Sequence, residues 1–92
     1  KGIHMNTKDK WNKENTIARH RKYIALNNAN ILEIKRINDL QKERPLTLEE
    51  IELRSYNIQE AGSNALCIHI GKGILKDAFN VVLEDEVLVS WN

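Results

Sequence analysis

Cys67 and His69 stand two residues apart in the segment Leu66-Cys67-Ile68-His69-Ile70. On a β-strand they would share a face, close enough for a thiolate–imidazole pair or for half of a metal site. A metal would need His20 and a carboxylate to complete its shell, and a nucleophile would need an orienting partner and a substrate pocket. Cys67 is the only cysteine, and His20 and His69 are the only histidines beyond the N-terminal tetrapeptide. The ordinary fate of these residue types is a small buried apolar cysteine and a half-exposed histidine. No catalytic residue, metal ligand or cofactor is therefore assigned, and a non-enzymatic protein is expected. Gly71-Lys72-Gly73 has the composition of a phosphate-cradling loop. It lacks the spacing and the following Ser or Thr of a P-loop, so a plain turn is expected there.

Binding chemistry is better represented. Arg19, Arg21 and Lys22, with Trp11 and Tyr23 nearby, are the one cluster suited to nucleic acid: the cations would meet phosphates and Trp11 would stack on a base. On a helix these neighbours point in different directions, which limits what a single backbone could meet. A helix-turn-helix reading of Leu46 to Ile70 fails, because Asn64 to Ile70 offers base edges almost nothing but apolar side chains. Net charge is +1, which argues against a nucleic-acid-coating protein and against an acidic mimic of nucleic acid. The charge is polarised along the chain. Met5 to Lys22 carries six basic residues against Asp9 and Glu14, and Asp77 to Asn92 carries four acidic residues and no basic one. Glu84-Asp85-Glu86 suits a basic partner, or the basic end of a second copy, unless it is merely a solvated turn.

The elements that must position these groups follow from periodicity. Ile17, Ile24, Ile31 and Ile34 share one arc at the helical repeat, widened by Tyr23, Leu26, Ile37 and Leu40. One helix from about Trp11 to Arg44 competes with two helices broken at Asn27-Asn28-Ala29-Asn30; the heptad spacing through Asn27 favours one. Asn27 in that stripe either faces solvent at its edge or acts as a buried device for register or partner choice. Pro45 ends the element. Thr47-Leu48-Glu49-Glu50 is a capping box, with Leu46 and Ile51 at the staple positions, so a second helix starts at Leu48. Its expected face is Leu48, Ile51, Ser55 and Ile58, its expected terminator Gly62, and a loop of two or three residues makes the pair an antiparallel hairpin.

Past Gly62 the pattern changes. Leu66, Ile68 and Ile70 alternate as in a half-buried strand, and Val81-Val82-Leu83 and Val87-Leu88-Val89 flank the acidic triplet like the arms of a β-hairpin. Ile74 to Leu83 fits helix equally well. Trp91 is expected to cover the core edge. The fold expected is α+β, an N-terminal antiparallel helical hairpin followed by a small antiparallel β-rich part, with a small all-α bundle as the alternative.

His4-Met5 is what a common cloning site encodes, so Lys1 to His4 is expected to be a cloning remnant and residues 5–92 one small domain. A lone cysteine and the absence of a signal-peptide or membrane-spanning pattern suit the cytoplasm. The Asn, Ile and Lys richness suits a bacterial or phage genome. Taken together these features point to a small interaction protein that binds and modulates a larger protein, carried by a phage or mobile element. Ile24, Ile31 and Trp11 are its candidate contact residues, and the isoleucine stripe is also a possible homo-oligomer surface. The second hypothesis is a nucleic-acid-binding regulator using Arg19, Arg21 and Lys22. No membrane partner is expected.

Overall fold

A computed structural model describes residues 12–91 as two long helices and an irregular C-terminal segment, with no strand among the described residues. Helix α1 spans Lys13–Gln41 and helix α2 spans Leu48–Phe79. The expected α+β fold is thus corrected: the protein is an all-α helical hairpin, laid out as a slab of 61 × 29 × 14 Å. Its thinnest dimension is about that of a single layer of helices.

Helix α1 begins where Asn12 caps it, its side chain accepting the Asn15 N–H at 2.8 Å. It runs unbroken through Asn27 to Asn30, as the heptad spacing requires. It stops where Glu43 and Arg44 turn their N–H groups back onto the Leu40 carbonyl, ahead of Pro45. The connection, residues 42–47, is longer than the two or three residues expected. Helix α2 opens on the full capping box, Glu50 N–H to Thr47 Oγ1 at 3.1 Å and Thr47 N–H to Glu50 Oε1 at 2.8 Å. Arg44 forks onto the same carboxylate at 2.9 and 2.6 Å, which ties the turn to the helix it precedes.

Several expectations for the second half are overturned together. Gly62 does not end α2, Leu66 to Ile70 is not a strand, Gly71-Lys72-Gly73 is not a turn, and Ile74 to Phe79 is helical. The reason lies in the residues that meet α1. Asn57, Ala61, Asn64, Ile68, Gly71 and Leu75 advance in steps of four and three, and so do His20, Ile24, Asn27, Ile31 and Ile34. Two such series form the seam of an antiparallel coiled coil, and that packing outweighs the weak helix propensity of isolated glycines. Of the alternating residues only Ile68 is buried, while Leu66 and Ile70 face out at 61% and 52% exposure. The face expected for α2 is likewise wrong: Leu48, Ile51, Ser55 and Ile58 are exposed, and two asparagines sit in the seam instead.

Polar side chains set the register of the hairpin. Asn64 donates to Asn30 at 2.9 Å, Asn30 to Asn57 at 2.8 Å, and Asn57 to the Leu53 carbonyl at 2.8 Å. Arg54 reaches across to Asn38 and Gln41 at 2.9 and 2.7 Å. A shift of one helix by a turn would leave these amides buried without partners, at about 1–3 kcal/mol each. Apolar burial is concentrated around Ile34 and Ile37, which are fully covered, and Leu75 near the far end.

Helix α2 ends at Asn80, the only non-glycine residue with positive φ among those described (φ 55°, ψ 42°). Asparagine tolerates this left-handed conformation better than most residues. The Asn80 N–H bonds the Lys76 carbonyl and the Val81 N–H bonds the Leu75 carbonyl, so the chain reverses sharply. Residues 81–91 then run back over one face of the hairpin, parallel to α1, as an irregular strap. The two expected β arms are both in this strap, extended but unpaired with any strand.

Candidate protein-binding groove

The strap-covered face is where the chain holds an extended segment by its backbone. Asn27, 2% exposed, donates from Nδ2 to the Leu88 carbonyl at 2.8 Å and to Asn28 Oδ1 at 3.2 Å. Asn28 Oδ1 accepts the Leu88 N–H at 2.9 Å, and its Nδ2 donates to the Glu86 carbonyl at 3.0 Å. Two adjacent asparagines thus satisfy both backbone groups of Leu88 and one of Glu86. Such bonds hold an extended chain whatever its side chains are, as a neighbouring strand would.

Side chains supply the selectivity. Leu88 and Trp91 pack against the cluster of Ile31, Ile34 and Ala61. Ile24, Ile31, Ile58, Ala65 and Ile68 line the groove beneath the strap, and a space of about 650 Å³ remains between strap and helices. Leu88 and Trp91 seat the strap on the groove floor, and the space beside them is open to solvent. At the other end, Asp85 meets Arg21 of α1 at 3.0 and 3.4 Å, and His69 and Lys72 of α2 line the groove. The occupant of the groove is therefore an extended chain with an acidic residue at one end, then Leu88 and Trp91 at steps of three.

His20 lies under this acidic end. It is 6% exposed, and its Nδ1 has no hydrogen-bond partner. A Cβ at position 71 would stand 2.8 Å from that atom, so glycine is what lets the helices close over the ring. Burial pushes the imidazole below its ordinary value; Asp85 opposes this, and Lys72 and Arg21 add to it.

Ile24 and Ile31 lie in the seam at 6% and 4% exposure, beneath the strap, so a partner would reach them only through the groove. Trp11 lies outside the described residues. Arg21 is held by Asp85. About 100° of helix turn per residue puts Arg19 roughly 200° from it and Lys22 about 100°, so the three cations do not form one surface. The same arithmetic separates Cys67 and His69 by roughly 200°, and no metal-binding group of His, Cys, Asp and Glu is found among the described residues. Asn27, Asn28, Asp85 and Leu88 were missed as a set; their one trace in the sequence is an asparagine falling in register between Ile24 and Ile31. Trp91 does cover the core edge.

No described helix is long and apolar enough to cross a membrane. Comparison of the chain with protein-family models, with curated proteins and with solved structures finds no match.

Proposed function

We propose that this protein is a non-enzymatic interaction module that binds a partner protein by taking an extended segment into the groove between its helices. One observation carries this reading: the Asn27–Asn28 pair bonds main-chain groups of Leu88 and Glu86 rather than side chains. Backbone capture of this kind accepts any extended chain that also satisfies the apolar floor and the basic end. Ile24 and Ile31 form part of that floor, and the strap is the resident occupant. The salt bridge that orients the strap is exposed and contributes little to holding it, about 0–1 kcal/mol. Exchange for another segment of the same chemistry then costs few strong contacts.

The test uses a fluorescent peptide of residues 81–91 and the full chain carrying Asp85→Arg, whose own strap is repelled by Arg21. Saturable binding that is lost on further substitution of Asn27 and Asn28 by alanine is the expected result. Absence of binding, or binding indifferent to both asparagines, overturns the reading. The nucleic-acid alternative has no comparable observation behind it, since Arg21 is engaged by Asp85 and stands away from the face that Arg19 and Lys22 share.

A further inference from the structure

We infer that the groove is filled in trans by the strap of a second copy of this chain, the two copies exchanging residues 81–91 reciprocally. The inference rests on the groove reading above and names its occupant. Three observations support it.

The first is complementarity. The chain already carries the segment that matches every feature of the groove: Asp85 for Arg21, the Leu88 backbone for Asn27 and Asn28, and the Leu88 and Trp91 side chains for the Ile31, Ile34 and Ala61 cluster. A second copy brings the same segment at the same concentration as the groove, and exchange keeps every one of these contacts. The second is the hinge. Strap and hairpin are joined through a single reversal at Asn80, held in the left-handed region. Rotation of that residue to ordinary negative φ directs the strap away from its own groove and relieves the one such conformation in the described chain. The third is the bonding of the strap itself. It makes no sheet, its ion pair is exposed, and an open cleft of about 650 Å³ runs between it and the helices. Exchange of an element held this way is a low-cost route to a dimer. The tether opposes it, since a strap linked by a short hinge acts at an effective concentration on the order of mM. The exchanged form therefore gains on the closed one as concentration rises or as the hinge is opened.

The charge pair at the groove end gives a direct test in full-length chains. Arg21→Glu places a carboxylate against Asp85, and Asp85→Arg places a guanidinium against Arg21 and Lys72. Each variant alone has like charges at this contact, whether its strap is closed or exchanged with an identical copy. In a mixture, the straps of each variant meet an opposite charge only in the groove of the other. Native mass spectrometry of an equimolar mixture, with one chain isotopically labelled, is expected to show a mixed dimer of about twice the monomer mass, in a larger fraction than the dimer of either variant alone. A mixture that stays monomeric overturns the inference, and so does a dimer that forms equally well in each separate variant. Hinge substitutions give an independent measure. Asn80→Val disfavours positive φ and Asn80→Gly permits it, so valine should show about tenfold more dimer than glycine at equal concentration, the left-handed penalty taken at 1.4 kcal/mol per factor of ten. Equal dimer fractions count against exchange. If the peptide of residues 81–91 binds while the mixture stays monomeric, exchange falls and the groove reading stands; if the peptide does not bind, both fall.

Discussion

The connection at residues 42–47 and the strap at residues 81–91 both bring the chain back across the hairpin, and they are built in opposite ways. The turn is held by neighbours: Thr47 and Glu50 bond each other three residues apart, and Arg44 reaches Glu50 six residues on. The strap is held by residues 58 to 64 positions away, through Arg21, Asn27 and Asn28. A locally bonded turn can form as soon as its few residues meet. A strap of this kind lacks its apolar floor until α1 and α2 have paired, because Ile31 and Ile34 come from one helix and Ala61 from the other. The turn is thus a part of the scaffold and the strap a guest on it.

The largest effect is expected where both regions depend on one residue. Ile34 is fully covered and belongs to the cluster under Leu88 and Trp91. Ile34→Ala should lower stability by about 3 kcal/mol in urea unfolding, from lost burial and the cavity left behind. A loss below about 1 kcal/mol would mean that the site collapses freely and that the strap adds nothing to its cover.

Asn27→Ala should separate the two regions. It leaves the Leu88 carbonyl without its donor and one end of Asn28 unbraced, at about 1–2 kcal/mol. Hydrogen exchange is the informative measurement. The Leu88 amide, bonded to Asn28, should lose protection, while the Glu50 amide in the capping box should keep it. Equal loss at both amides would show that strap and turn open as one unit.

The same contrast explains what could be seen in the sequence. Thr47-Leu48-Glu49-Glu50 announced the start of α2 because a capping box is complete within four residues. The continuous α1 was legible in the heptad spacing of Ile17, Ile24 and Ile31. The rest of α2 was not, because its seam is built from Asn57, Ala61, Asn64 and Gly71, which carry little hydrophobic signal. The alternation of Leu66, Ile68 and Ile70 supplied a false period of two in its place. For the site, Ile24 and Ile31 were identifiable as apolar stripe residues, but not as a groove floor. What Asn27 and Asn28 bind depends on a segment some 60 residues away, and no local pattern encodes that pairing. The valine-rich strap looked like two β arms because extended chain alternates its side chains whether or not a strand lies beside it.

A smaller and purely local effect is expected at the turn. Thr47→Ala removes the acceptor of the Glu50 N–H and should cost about 1 kcal/mol. Exchange at Leu88 should stay unchanged, since no strap contact involves Thr47. Loosening of the strap in this variant would show that the geometry of the turn is transmitted along the full length of the seam.

Acid should distinguish the two regions most finely, because their titrating groups act in different windows. Glu50 is pulled down to about 2, first by the hydrogen bonds from Arg44 and then by the Thr47 amide. With its folded value below the ordinary 4.5, its contribution is complete above pH 4.5 and is lost as pH falls towards about 2. His20 is lowered from 6.5, chiefly by burial. The unfolded chain then takes up a proton at higher pH than the folded one, so stability is full above about 6.5, declines as pH drops through the range just below it, and levels off once both states are protonated. The groups facing this imidazole are Asp85 from the strap, Arg21 from α1 and Lys72 from α2. Urea unfolding across pH should therefore show a first decline just below pH 6.5 that belongs to the strap end, and a second below pH 4.5 shared by Glu50 at the turn and Glu33, which Arg36 also lowers. His20→Asn should flatten the first and leave the second. A first decline that survives this substitution would place its origin elsewhere, and stability that rises on crossing below pH 6.5 would reverse the sign of the shift. In that case the attraction of Asp85 for the imidazolium would outweigh burial, and acid would fasten the strap to the groove instead of weakening the helices beneath it.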